Sequence, residues 1–139
     1  MGAFTTAFHT RLANDSTLTE LLSTFRENPA VFSAFPIPAE VILPYVIIGE
    51  PFSDEEFDCK VEPGREQYRD LRCYAKGDGS LIEIEAISER VRALFHNYNL
   101  PITGFDNAFI CTCSGPTVGP DEENIYSRIV TVRVVAMEA

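Results

Sequence analysis

Apolar residues recur at helical spacing in the first part of the chain, at positions 4, 8, 12, 18, 21, 22 and 25. Asn14-Asp-Ser16 interrupts this stripe. The segment Thr17-Leu-Thr-Glu20 that follows has the form of a capping box, which satisfies backbone N–H groups at a helix start. The pattern therefore predicts a helix, a turn and a shorter helix ending near Phe25.

The middle of the chain predicts two strands. Val41–Ile48 is β-branched and apolar without alternation, which is typical of a strand buried on both faces. Pro44 cannot donate to a ladder, so we expect it at the beginning of that strand or on an unpaired side. A second strand, from about Gln67 to Lys76, alternates. Its positions 71, 73 and 75 share one face, and positions 68, 70, 72 and 74 share the other.

A helix and two further strands are predicted after Gly77-Asp-Gly79. Ser80-Leu-Ile-Glu83 reads as a second capping box, and the helix it opens carries an apolar stripe at positions 84, 87, 91 and 94. The strand Ala108–Ser114 would place Phe109, Cys111 and Cys113 on one face. The long strand Ile125–Met137 would pair with it as an antiparallel hairpin, with residues 115–124 as its tip.

These elements predict an α+β fold in which a mostly antiparallel, twisted sheet of about four to five strands carries helices on one face. The 139 residues suit a single domain over 1–139. Hydrophobic residues make up 45% and charged residues 23%, which are ordinary globular values that exclude wholesale disorder. No apolar run approaches the roughly 20 residues of a membrane span, so no membrane partner is expected.

The net charge of −10 excludes a protein that clamps nucleic-acid phosphates, because no basic run exists anywhere in the chain. An acidic body near DNA stays possible, and solubility alone also accounts for the charge. Four cysteines are too few for a disulfide scaffold, so a protein with reduced thiols in the cytoplasm is expected.

Cys111 and Cys113 are the most conspicuous candidate chemistry, since a strand would point both thiols the same way. A structural zinc site needs two further ligands. Cys59 and Cys73 could supply them without the usual knuckle spacing. The competing interpretation, buried core thiols, is favoured. His9 and His96 accompany no nucleophile motif, so no catalytic, metal or cofactor-binding residue and no cofactor is predicted.

Four segments in order resemble the tail terminator (tail completion) family of long-tailed phages and gene transfer agents. They are Leu43-Pro-Tyr-Val-Ile-Ile48, Tyr68-Arg-Asp-Leu-Arg-Cys-Tyr-Ala75, Val91-Arg-Ala-Leu-Phe-His96 and the final strand from Tyr126 to Ala136. The resemblance covers nearly the whole chain. Two departures are Tyr74, where tryptophan is common in that family, and a segment 53–66 that is longer and more acidic than expected.

The resemblance implies a non-enzymatic homohexameric ring at the head-proximal end of the virion tail, assembled in the bacterial cytoplasm. The ring would cap the tail tube protein, stop tail polymerisation and dock the head–tail connector protein, while DNA passes through it without specific binding. The net charge of −10 adds the hypothesis that the lumen is acidic and repels DNA. Another connector or minor virion protein is the alternative, and a small metal-binding enzyme is a distant one.

Long loops at 53–66 and 115–125 would reach a neighbour, since a closed ring needs head-to-tail contacts. The default interpretation of their carboxylates is solvated loop tips. The residues predicted at the subunit or tube interface are Asp54, Glu55, Glu56, Phe57, Arg65, Asp121, Glu122 and Glu123.

Overall fold

The computed structural model describes residues 2–34, 38, 40–58, 63–106, 110–119 and 124–137. The helices of this part are α1 (Gly2–Ala13), α2 (Ser16–Leu21) and α3 (Ile82–Phe95). Its strands are β1 (Thr24–Phe25), β2 (Asn28–Pro29), β3 (Val31–Phe32), β4 (Tyr45–Ile48), β5 (Ser53–Asp58), β6 (Pro63–Lys76), β7 (Ile110–Val118) and β8 (Ile125–Met137). The described residues contain no helix that is long and apolar enough to cross a membrane.

The main sheet has the strand order β3-β4-β6-β8-β7, and β5 also pairs with β6. All neighbours are antiparallel except β3 and β4. The 14-residue strand β6 is long enough to hold β4 against residues 71–74 and β5 against residues 63–68, while β8 lines its other edge from Gly64 to Lys76. Separately, β1 and β2 form a small hairpin.

The hydrophobic core lies between the helices and one face of this sheet, which confirms the predicted α+β arrangement. Alternate positions of β6 and β8 supply the sheet side of the core, and all are buried: Leu71, Cys73, Ala75, Val130, Val132, Val134 and Ala136. The helices contribute the predicted stripes, Phe4, Phe8, Leu12, Ile84, Ile87, Val91 and Leu94. Val46, Ile47 and Ile48 are all buried, as predicted. The predicted strand Val41–Ile48 is too long, because β4 begins only after Pro44, which has no N–H to donate to a ladder, and Ile42 is 67% exposed.

The first helical segment ends earlier than its apolar pattern predicted. The helix α2 stops at Leu21, and Thr24–Phe25 instead pairs with Asn28–Pro29. Arg26 and Glu27 adopt φ values of 49° and 69°, the left-handed conformation of a tight hairpin turn. A turn of this kind gives Leu22 and Phe25 apolar contacts without a helix, so periodicity alone placed the boundary wrongly.

Both predicted capping boxes are wrong. Asp15, rather than Thr17, caps α2, and its Oδ2 accepts a hydrogen bond from the Leu18 N–H at 2.8 Å. The N-cap of α3 is Leu81, which makes no side-chain cap hydrogen bond, while the Ser80 hydroxyl accepts from the Ile82 N–H at 3.4 Å. The S/T-x-x-E spacing was present at both sites, but the helix began one or two residues away from the position that the box requires.

Asp15 also joins the first two helices to the third. Arg90 of α3 donates to Asp15 from Nε at 2.9 Å and from Nη2 at 2.6 Å. Hydrogen bonding from Arg90, together with the bond from the Leu18 N–H, outweighs burial and holds the pKa of Asp15 below its ordinary value of 3.8. The carboxylate form is therefore the one that stabilises the folded protein.

Asp15→Asn should lower the free energy of unfolding at pH 7, and the difference from wild type should vanish in acid. The pKa of Asp15 is lower in the folded state, so its contribution is present above the unfolded value and is lost as pH falls through the folded value. Urea unfolding from pH 7 to pH 2.5 measures this. Asp15→Ala should cost about 1 kcal/mol more, because it also removes the N-cap. If the difference in unfolding free energy between Asp15→Asn and wild type were the same at low pH as at pH 7, the lowered pKa of Asp15 would be contradicted. Glu89→Gln, at an exposed position, serves as the control.

Candidate interaction surfaces

The acidic segment predicted as a loop at 53–66 is a strand and the start of another, so that prediction is wrong. Residues 53–58 pair in unbroken register with residues 63–68, from Ser53 opposite Tyr68 to Asp58 opposite Pro63. Polar composition argued for a loop, but an edge strand tolerates charge because one of its edges faces solvent. The expected arm is therefore an edge of the main sheet.

The backbone orientation of β5 follows from two hydrogen bonds next to it. The Asp70 carbonyl accepts from Gly49 N–H at 2.8 Å, and the Tyr68 carbonyl accepts from Phe52 N–H at 3.0 Å. The N–H and C=O of one strand residue point to the same edge of the strand. The even-numbered residues of β6 therefore direct their backbone groups toward β5. The β5 residues 53, 55 and 57 lie opposite these residues and face β6.

The backbone groups of Asp54, Glu56 and Asp58 consequently point outward. Within the described part of the chain, β5 pairs with no strand other than β6. Three N–H groups and three C=O groups at alternate positions thus form an open ladder edge, about six residues long.

The opposite edge of the sheet, along β7, is closed by the end of α3. The Cys111 carbonyl accepts from the Asn97 N–H at 2.7 Å, and the Cys113 N–H donates to His96 Nδ1 at 3.1 Å. Asn97 reaches this position with a φ of 59°. One outward backbone group of each residue, the Cys111 carbonyl and the Cys113 N–H, is therefore already occupied, and this edge differs from that of β5.

The thiols on β7 face the helices, as the alternation predicted, although Cys113 is only half-buried. Burial raises the pKa of Cys111 to about 12 and that of Cys113 to about 11. The packing of these thiols against the core agrees with the favoured interpretation as buried core residues. No group of three His, Cys, Asp or Glu side chains that could hold a metal occurs among the described residues. Cys59 and Phe109 lie outside them.

A buried arginine connects α1 to the segment that leads into β5. Arg69 of β6 is 2% exposed and donates to Gln67 Oε1 at 3.0 Å, Thr5 Oγ1 at 2.9 Å and the Gly49 carbonyl at 3.3 Å. Its guanidinium also lies 5.6 Å from the Phe8 ring centroid. Gln67 Nε2 is buried and has no hydrogen-bond partner within the described part of the chain. Gly49 is required there, because a Cβ at this position would lie 2.7 Å from the Asp70 carbonyl oxygen.

The open face of the sheet, away from the helices, is polar and partly aromatic. Arg133 donates to Glu66 at 3.0 Å, and Thr131 donates to Asp70 at 2.7 Å. Phe52 lies 5.9 Å from Tyr68 between ring centroids and is 62% exposed. The other exposed large apolar residues among those described are Ile42, Leu81, Ile82 and Val118.

A groove of about 440 Å³ lies on the helix side, between α1 and residues 98–103. Arg11 crosses it, with its guanidinium 3.7 Å from the Tyr98 ring centroid and its Nε donating to the Leu94 carbonyl at 3.1 Å. No sequence pattern indicated this groove, because its walls come from residues far apart in the chain.

The predicted interface residues are distributed as follows. Asp54, Glu55, Glu56 and Phe57 lie on β5, and Arg65 lies opposite Glu56 on β6 and is half-buried. The structure thus brings these five residues together on two neighbouring strands. Asp121, Glu122 and Glu123 lie outside the described residues. The hairpin that would carry them is confirmed as antiparallel, and β7 extends to Val118, four residues beyond its predicted end.

Comparison with known proteins gives a match in fold. No family profile matches the chain, and no curated protein matches it. A solved chain in the structure described as "Virion of native gene transfer agent (GTA) particle" is similar, with a TM-score of 0.78 and 18% sequence identity. The match covers 99% of this chain and 96% of that chain. The protein therefore has the fold of a chain found in a gene transfer agent virion.

Proposed function

We propose that the protein is a structural component of a virion, and that it forms a ring which caps the tail tube, ends tail polymerisation and offers a docking face to the head. The observation that carries this proposal is the match over 99% of the chain to a chain of a gene transfer agent virion. The ordered sequence segments that resemble the tail terminator family give the finer assignment within the virion.

The distribution of chemistry over the surface supports a structural role. Cys111 belongs to the hydrophobic core and Cys113 packs against it. The described residues contain no group of three His, Cys, Asp or Glu side chains that could hold a metal ion. Large apolar side chains are instead exposed, Ile82 by 79% and Val118 by 70%. Exposed apolar residues of this size suit contacts with other subunits.

The proposed ring would be a homohexamer built from one domain that spans 1–139. Its contacts must be head-to-tail, because an interface in which a surface patch meets the same patch of a second copy closes at a dimer. A net charge of −10 would repel DNA that passes through the lumen and would keep the ring from retaining it. The tail tube protein on one side and the head–tail connector protein on the other are the partners of this arrangement.

Purified protein mixed with tail tubes of its own particle tests the proposal. Negative-stain imaging should show rings at one end of the tubes, and mass measurement of the assembled ring should give six copies of the 15.5 kDa chain. A chain that stays monomeric in the presence of tubes would sink the proposal. Sedimentation with heads, and not with tails, would assign it to another head–tail connector.

A further inference from the structure

We propose that the outer edge of β5 docks an extended, basic segment of a different protein, which adds to the sheet as a further strand. This inference rests on the proposed function only in taking that partner to be another virion protein. The docking edge consists of the outward backbone groups of Asp54, Glu56 and Asp58, with exposed Phe52 at its beginning.

The open ladder provides the attraction. An added strand pairs with N–H and C=O groups at every second residue, which is the spacing that β5 presents. Soluble proteins usually cover or interrupt such an edge, as the end of α3 does at β7 in this chain. At β5 the described residues contain neither a covering segment nor a proline or bulge within the strand.

The charge of β5 selects the class of partner. The sequence Ser-Asp-Glu-Glu-Phe-Asp carries four carboxylates in six residues and no basic residue. Opposite charges on neighbouring strands stabilise a pair, and like charges destabilise it. A segment rich in lysine or arginine therefore fits, and its binding should weaken as salt is added.

A second copy of this chain does not fit the same edge. Pairing β5 with β5 would set four carboxylates against four. The β7 edge is occupied at Cys111 and Cys113, and β3 is only two residues long. Copies in a ring would therefore meet through other surfaces, and β5 would stay available for a different protein.

The position of Glu56 allows a direct test of the backbone contribution. Its N–H points away from β6, so Glu56→Pro removes a donor from the open edge while it spares the ladder between β5 and β6. Glu56→Gln removes the charge and keeps the donor. Glu83→Gln removes a carboxylate from the exposed first turn of α3 and is the matched control.

The probe is a fluorescein-labelled octapeptide of alternating lysine and threonine, measured by fluorescence anisotropy at low salt. We expect Glu56→Pro to weaken binding about tenfold, since it removes a hydrogen bond and leaves the facing carbonyl unpaired. Glu56→Gln should weaken binding about twofold to threefold, and Glu83→Gln should leave it unchanged. Methylation of alternate backbone nitrogens of the probe peptide should weaken its binding to wild-type protein about tenfold. This second measurement does not require the Glu56→Pro protein to fold.

Three results would each overturn the proposal. The first is a lysine–threonine peptide that does not bind, or binds equally well after N-methylation. The second is a glutamate–threonine peptide of the same length that binds as tightly. The third is a Glu56→Pro protein that keeps the circular dichroism spectrum of wild type but no longer forms the rings made by wild type, since the edge would then serve a second copy. Wild-type protein that never forms rings would contradict the proposed function and leave the peptide result standing.

Discussion

Replacement of Arg69 by methionine is expected to lower the free energy of unfolding by about 3 kcal/mol. Methionine fills similar space, so the loss comes from the hydrogen bonds to Gln67, Thr5 and the Gly49 carbonyl. Acceptors left unpaired in the interior cost about 1–3 kcal/mol each, partly offset because a charge no longer has to be buried. Urea unfolding followed by circular dichroism measures the change.

Two further variants separate the polar network from simple packing. In Arg69→Met, Gln67 Oε1 loses its donor, and Gln67 Nε2 already has no partner among the described residues. Gln67→Leu removes both polar atoms, so the double variant should have a free energy of unfolding about 1 kcal/mol or more higher than that of Arg69→Met. Arg72→Met, on the same strand but on the open face, should cost less than about 1 kcal/mol. If Arg69→Met and Arg72→Met lowered the free energy of unfolding equally, the buried hydrogen bonds of Arg69 would stabilise the fold no more than the contacts of an arginine on the open face.

Phe8→Ala is expected to have an effect of similar or larger size, about 3–5 kcal/mol. Phe8 is fully buried, and its ring lies 5.0 Å from the ring of Phe95 between centroids. Truncation removes the apolar contacts and leaves a cavity between α1 and α3 that the sheet cannot fill. Such a loss is a large part of the total stability of an ordinary domain, about 5–15 kcal/mol. Thermal unfolding together with urea titration measures it.

The size dependence of the Phe8 effect identifies its cause. Phe8→Leu retains most of the volume and should cost less than about half as much as Phe8→Ala. Phe52→Ala removes a ring that is 62% exposed and should change the free energy of unfolding by about 0.5 kcal/mol or less. If Phe8→Ala also fell in that range, Phe8 would not be part of the core in solution.

The core was the part of the fold that the sequence predicted best. The stripes on α1, α3 and β6 obey the periods of 3.6 and 2, because one face of each element must be buried. Leu71 and Ile84 lie on these stripes, and both are buried. The apolar run Val41–Ile48 predicted β4 only in its second half, because the strand covers Tyr45–Ile48 and Ile42 is exposed.

The acidic strand and the helix starts could not be predicted in the same way. Ser53–Asp58 has no apolar alternation, and its strand conformation comes from pairing with β6, which is a contact between chain segments. The cap of α2 is a local bond from the Leu18 N–H to Asp15, but the Thr17-to-Glu20 spacing indicated a later helix start, and the contact of Asp15 with Arg90 joins residues far apart in sequence. The burial of Arg69 has no local signal, since its acceptors in Thr5 and Gly49 come together only in the folded protein.

The four residues Gly49–Phe52 lie between Ile48, opposite Leu71, and Ser53, opposite Tyr68, so they span only the two positions Arg69 and Asp70 on β6. Both β4 and β5 face the even-numbered residues of β6 and present odd-numbered residues to them, with Gly49 opposite Asp70 and Ser53 opposite Tyr68. A shift of β5 along β6 by one residue would exchange the outward set 54, 56, 58 for 53, 55, 57 and would turn the β5 side chains to the opposite face of the sheet. The backbone groups that this edge offers to another chain therefore depend on the register of β5 on β6.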